Sequence, residues 1–116
     1  MEKCILAAIR SSNATRDLVD SSLDELSRLV KTAGGEEVGR IVQTRTAPDP
    51  STYIGKGKAR EVRALASRLG ATTLVVDGEL RPAQEAELAR VTRLRVIERT
   101  HVILEIFAQH ARSAEG

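Results

Sequence analysis

The chain has 116 residues, 41% of them hydrophobic and 29% charged, with a net charge of +2 and a pI near 9.0. These values suit one globular domain with a real core and exclude a disordered chain or two full domains. The single cysteine, Cys4, excludes an internal disulfide and a cysteine-rich zinc site, and no apolar run is long enough to span a bilayer.

Cys4 to Ile9 is a continuous apolar run of strand length, the pattern of a strand buried on both faces. Its place there makes the Cys4 thiol a buried, inert group. Glu2, the short apolar stretch before Arg10 and the lack of a cleavage site argue against a signal peptide, so a cytoplasmic location is the default. Leu18, Val19, Leu23, Leu26, Leu29, Val30 and Ala33 recur at helical spacing, with Asn13 or Thr15 as cap and Gly34-Gly35 as terminator. Val38 to Thr44 reads as a strand with one more exposed face, stopped by Pro48 and Pro50. Val62, Leu65, Ala66 and Leu69 mark a second helix closed by Gly70, and Thr72 to Val76 is the next strand. Pro82 opens a third helix carrying Ala83, Ala86, Leu88, Ala89 and Val91. Val96-Ile97 is a short fourth strand, after which Thr100 caps a last helix with Ile103, Ile106 and Phe107.

Strict alternation of strand and helix gives the fold class: α/β, a single domain of four β-α units with a mostly parallel four-stranded sheet flanked by helices. Ligands of such sheets meet the loops at the strands' carboxyl ends, here residues 10–13, 45–56, 77–81 and 99–100. The second of these is by far the largest, and a loop of that length in a small domain points to a role.

That loop ends in Gly55-Lys56-Gly57-Lys58. It is not a Walker A motif, because no Ser or Thr follows the lysine and two prolines separate it from the strand. Nor is it Gly-x-Gly-x-x-Gly, because position 60 is Arg. Lys56, Lys58 and Arg60 sit where the helix dipole disfavours cations, which points to a polyanion such as RNA backbone; the plainer reading is a solvated basic turn. Tyr53 is suited either to stacking on a base or to anchoring the loop. Charge is segregated: Arg40, Arg45, Lys56, Lys58, Arg60, Arg63 and Arg68 face only Asp49 and Glu61 in that interval, whereas Asp77, Glu79, Glu85 and Glu87 are relieved only by Arg81. The acids before the third helix suit its N-terminus better than a metal. His101 and His110 lack ligand-spaced partners, so no catalytic and no metal-binding residue is expected.

Several stretches resemble the N-terminal domain of HflX-type GTPases: Ala33-Gly34 with Val38-Gly39, Pro48 through Lys58, Asp77, Glu79-Leu80, Pro82-Ala83-Gln84, Val96 through Thr100, Ile103 through Ala108, Ala111 and Ala114 through Gly116. The resemblance implies a domain at residues 1–110, with residues 111–116 beginning a linker to a helical and GTPase region absent from this chain. GTP and Mg then belong to that missing domain, with no cofactor in this chain and no GTPase activity of its own. The implied partners are the large ribosomal subunit, with ribosomal RNA near the peptidyl-transferase region, and the missing GTPase domain in cis, in proteins that split or rescue stalled ribosomes. Candidate RNA contacts are Arg45, Tyr53, Lys56, Lys58, Arg60 and Arg99, with Gly55 and Gly57 shaping the loop. The departures are Arg81, where the family often has a capping Ser or Thr, Glu98 in place of Asp, and His101 at a variable position. The alternatives are an intramolecular regulatory module acting on the GTPase domain, or a weak nucleotide-binding domain.

Overall fold

A computed structural model describes residues 2–11 and 16–115. In chain order it holds β1 (Lys3–Arg10), α1 (Arg16–Thr32), β2 (Glu36–Thr44), α2 (Lys56–Leu69), β3 (Thr73–Val76), α3 (Pro82–Thr92), β4 (Arg95–Glu98) and α4 (Arg99–Glu115). All strand pairs are parallel and the sheet order is β2-β1-β3-β4. The four β-α units expected from the alternation are therefore present as an α/β domain.

The period-2 geometry of β1 divides its apolar run between two cores. Ile5 and Ala7 join Leu74 and Val76 of β3 beneath α2 and α3, whose Ala59, Val62, Ala66 and Leu88 complete that layer. Cys4, Leu6 and Ala8 face the other way with Val75, against Leu23, Leu26 and Val30 of α1 and Val102 of α4. Each large aliphatic side chain so buried contributes about 1.5–3 kcal/mol, so the two cores rather than helix propensity hold the layers together. The Cys4 thiol is part of the second core; burial, reinforced by Glu2, pushes its pKa up and keeps it a poor nucleophile.

The blurred alternation of β2 has a local cause. Cys4 pairs with Glu37 but Ile5 pairs with Gly39, so Val38 is the extra residue of a bulge that resets the strand's phase. Gly39 then lies under α2, where an added methyl would come within 3.2 Å of Leu65.

Helix ends follow the sequence in part. Pro82 opens α3, and Gly70 ends α2 in the left-handed conformation at φ +70°. The caps at Asn13 or Thr15 lie outside the described residues. Thr100 does not precede the last helix but lies inside its first turn, because β4 passes directly into α4 at Arg99. The third helix lacks the side-chain cap that Ser or Thr at 81 would give, and Gln84 closes only the reciprocal half of a capping box by accepting the Arg81 N–H at 2.8 Å. Helix α4 runs unbroken across position 110.

The chain crosses from β1 to β2 on one side and then to β3 on the other. The strand order reverses between β1 and β3, and the large loop after β2 arrives above that point.

Candidate nucleic-acid interface

Residues 45–55 join β2 to α2 and close on themselves before the helix begins. Asp49 organises the turn. Its Oδ1 accepts from the N–H groups of Ser51 at 2.8 Å and Thr52 at 2.9 Å and from the Thr52 hydroxyl at 3.3 Å. Its own N–H and carbonyl exchange two 2.9 Å hydrogen bonds with Tyr53. An Asp-Pro-Ser sequence turns readily this way, because Pro50 fixes φ and the carboxylate substitutes for a backbone acceptor. The Ile54 N–H next donates to the Thr52 carbonyl at 2.6 Å, a γ-turn centred on Tyr53 at φ +63°. That conformation costs a tyrosine about 1–2 kcal/mol. Burial offsets the cost: Tyr53 is 6% exposed and Ile54 is fully buried, both within the core under α2.

The donors on Asp49, Thr52 first and then Ser51, hold its carboxyl below the usual carboxylate pKa. A depressed folded pKa contributes stability above the unfolded value near 3.9, and that stability is lost as pH falls through the folded value. Tyr53 is the only tyrosine and tryptophan is absent, so intrinsic fluorescence reports on this loop alone. Acid titration is expected to change the Tyr53 signal below about pH 4, and Asp49→Asn is expected to remove that step. An unchanged acid profile in the variant would contradict the role of Asp49.

The Tyr53 ring fills the crevice at the strand ends, over Gly78, where a side-chain carbon would overlap its hydroxyl. Burial first, and then Asp77, Glu79 and Glu98, push the Tyr53 pKa up. The crevice where an open α/β sheet usually takes its ligand is thus plugged by a tyrosine and ringed by acids.

Arg99 serves the same end of the sheet. Its Nε donates to Asp77 Oδ1 at 3.1 Å, its Nη2 donates to the Ser22 carbonyl at 2.8 Å, and its Nη1 lies 3.4 Å from Glu25 Oε1. Ser22 Oγ donates to Asp77 Oδ2 at 2.6 Å, so α1, the end of β3 and the start of α4 share one polar network. Glu98 Oε2 accepts the Leu80 N–H at 2.6 Å. The buried Gln84 donates from Nε2 to the Asp49 carbonyl at 2.8 Å, clasping the loop to α3.

Arg45 folds back over its own loop, donating from Nε to the Ala47 carbonyl at 3.0 Å and placing Nη2 3.7 Å from Asp49 Oδ2. Its Nη1 covers Gly55, where an added methyl would sit 2.9 Å away. Gly55 also has φ +88°, whereas Gly57 lies in the helix with open space where its side chain would be. The two glycines are therefore different. Gly55→Ala is expected to lower stability by about 1–2 kcal/mol and Gly57→Ala to raise it by about 0.4–1 kcal/mol, both read by urea denaturation. Equal effects would contradict this distinction.

Of the six candidate RNA contacts, Tyr53 and Arg99 are thus turned inward to the loop plug and the polar network, and Arg45 is partly occupied. Lys58 pairs with Glu61 at 2.8 Å and keeps 30% side-chain exposure. Lys56 and Arg60 are exposed at the start of α2, and Arg63 joins them a turn later.

The sequence matches the family model described as GTP-binding GTPase N-terminal over residues 20–108. The chain belongs to the N-terminal domain family of HflX-type GTPases. It is 44% identical to the GTPase HflX of Lacrimispora saccharolytica, an alignment covering 99% of this chain and 27% of that protein. It is 43% identical to the GTPase HflX of Escherichia coli, covering 88% of this chain and 24% of that protein. The chain therefore spans about a quarter of the length of these curated relatives. A GTP-binding protein from Sulfolobus solfataricus, solved in complex with GDP, shares the fold with a TM-score of 0.65 at 17% identity, over 93% of this chain and 30% of that one.

The HflX-like segment from Pro48 to Gly55 is the one that builds the plug, and its residues have internal tasks to perform. Ser22, Gly78, Gln84 and Glu98 were not among the candidate contacts, although Gln84 and Glu98 lie in the segments that carry the family resemblance. Gln84 stands three residues after Arg81, the spacing of a capping box without its Ser or Thr. The other three act through contacts between elements distant in sequence, which no local pattern announces.

Proposed function

We propose that this chain is the ribosome-facing N-terminal domain of an HflX-type GTPase and binds the large ribosomal subunit through its RNA, helping to split or rescue stalled ribosomes in the cytoplasm. The observation that supports this reading is the charge of α2 in a chain of this family. Lys56, Lys58, Arg60, Arg63 and Arg68 stand against Glu61 alone on that helix. Nucleotide chemistry, with GTP and Mg, belongs on this reading to the remaining length of the longer relatives. The chain by itself neither binds nor hydrolyses GTP. Co-sedimentation with purified large subunits tests the reading: the chain is expected in the pellet at low salt and in the supernatant at high salt. A chain that stays in the supernatant at both would sink it, and heat of binding on titration with GTP would contradict the nucleotide part.

A second reading, a module restraining the GTPase domain through protein contacts, draws support from α4. Leu104 and Phe107 are 60% and 68% exposed one turn apart, and Leu104 lines a groove with Ala86, Ala89 and Val96. Added in trans to an isolated GTPase domain, the chain would then change GTP turnover; unchanged turnover would eliminate this reading.

A further inference from the structure

We propose that the outer face of α2, rather than the strand-end crevice, is the surface that lies along the RNA backbone, with Gly57 as the point of closest approach. This rests on the RNA-binding reading above and gives it a location. Lys56, Arg60, Arg63 and Ser67 follow one another at four, three and four residues, and all are exposed. They therefore form a single stripe roughly 16 Å long. Beside it lie Gly57 and Ala64, also exposed, which present no bulk to hold a partner away.

Gly57 is the second, independent sign. Nothing lies within 4 Å of where its side chain would be, and its backbone is not among those with positive φ. The fold places no demand for glycine at a position where glycine weakens a helix. A bare Cα on an exposed, cationic helix face lets a partner's backbone come into contact there.

The acids nearby are already engaged. Glu61 pairs with Lys58, and Glu87 of α3, which faces Lys56, pairs with Arg90. The strand-end crevice is unlike this face. Tyr53 fills it, and Asp77, Glu79 and Glu98 around that ring would repel phosphate. The α2 face offers cations and small residues without an aromatic or large apolar anchor. That suits a sugar-phosphate backbone, which needs only positioned charge, and not an acidic protein, whose interface would need a desolvated apolar centre.

The test uses the 116-residue chain with protein-free RNA of the large subunit, binding being followed by anisotropy over a salt series. Arg60→Gln with Arg63→Gln is expected to lower the slope of log affinity against log salt by about 1.4–1.8, while Arg28→Gln with Lys31→Gln on α1 leaves it unchanged. Gly57→Ala is expected to weaken binding at least about fivefold without lowering the melting temperature. An unchanged slope in the α2 pair, or an equal loss in the α1 pair, overturns the proposal while the wild-type binding itself stands. Binding of polyglutamate in place of RNA overturns it in favour of an acidic protein partner, and binding of neither overturns it together with the ribosomal reading. A reduced slope on free RNA with no sedimentation on intact large subunits supports this surface and removes the ribosome.

Discussion

Ile54→Ala is expected to destabilise the domain by about 3 kcal/mol, a core-sized loss from a residue that lies in a loop. Ile54 is fully buried and shares its core with Ala59 and Val62 of α2 and with Leu74 and Val76 of β3. Truncation would remove apolar surface from the place where the loop enters the sheet layer. It would also leave a cavity that the γ-turn at Tyr53 cannot collapse to fill, because that turn is held on both sides by Asp49. Leu104→Ala, at a site 60% exposed, is expected to change stability by less than about 0.5 kcal/mol. Urea denaturation of the two variants checks the contrast. A loss below about 1 kcal/mol for Ile54→Ala would mean that residues 45–55 are a solvated turn and not a plug.

Lys56→Glu combined with Arg60→Glu is expected to weaken binding to large ribosomal subunits about 100-fold at low salt, because each reversal removes a phosphate contact and adds a repulsion. Stability is expected to move the other way. An acid in the first turn of α2 interacts favourably with the helix N-terminus, worth about 0.3–1 kcal/mol, whereas the present first turn has no acid and no capping side chain. A variant that is as stable as the parent or more so, yet binds poorly, separates a functional charge from a structural one. A variant that binds normally would show that these cations are only solvated.

The fold was largely legible because its signals are local. The apolar run of β1, the helical spacing from Leu18 to Ala33, Gly70 and Pro82 each state their element within a few residues. The phase of β2 was not legible, since the bulge at Val38 depends on what β1 presents to it across the sheet. The site was legible in outline and misleading in detail. Glycines, lysines and a tyrosine in one long loop look alike in a sequence, but three of them have unlike tasks. Tyr53 is a buried plug, Gly55 permits a positive φ under Arg45, and Gly57 answers to nothing inside the molecule. Arg99 is a candidate RNA contact in the sequence, and only the arrival of α1 with Ser22 and Glu25 reveals its partners. The loop that first suggests a phosphate cradle is a rigid mount, and the charge it delivers is on the helix behind it.

The most direct test places a reporter on that helix. Cys4 is buried, so a single introduced cysteine can carry a tethered RNA-cleaving probe. Ser67→Cys sits on the exposed stripe of α2, and Ser21→Cys sits exposed on α1, on the opposite face of the sheet. With large ribosomal subunits bound, the probe at position 67 is predicted to cut ribosomal RNA and the probe at position 21 to leave it intact. Cutting from position 21 alone, or from both equally, would contradict the account.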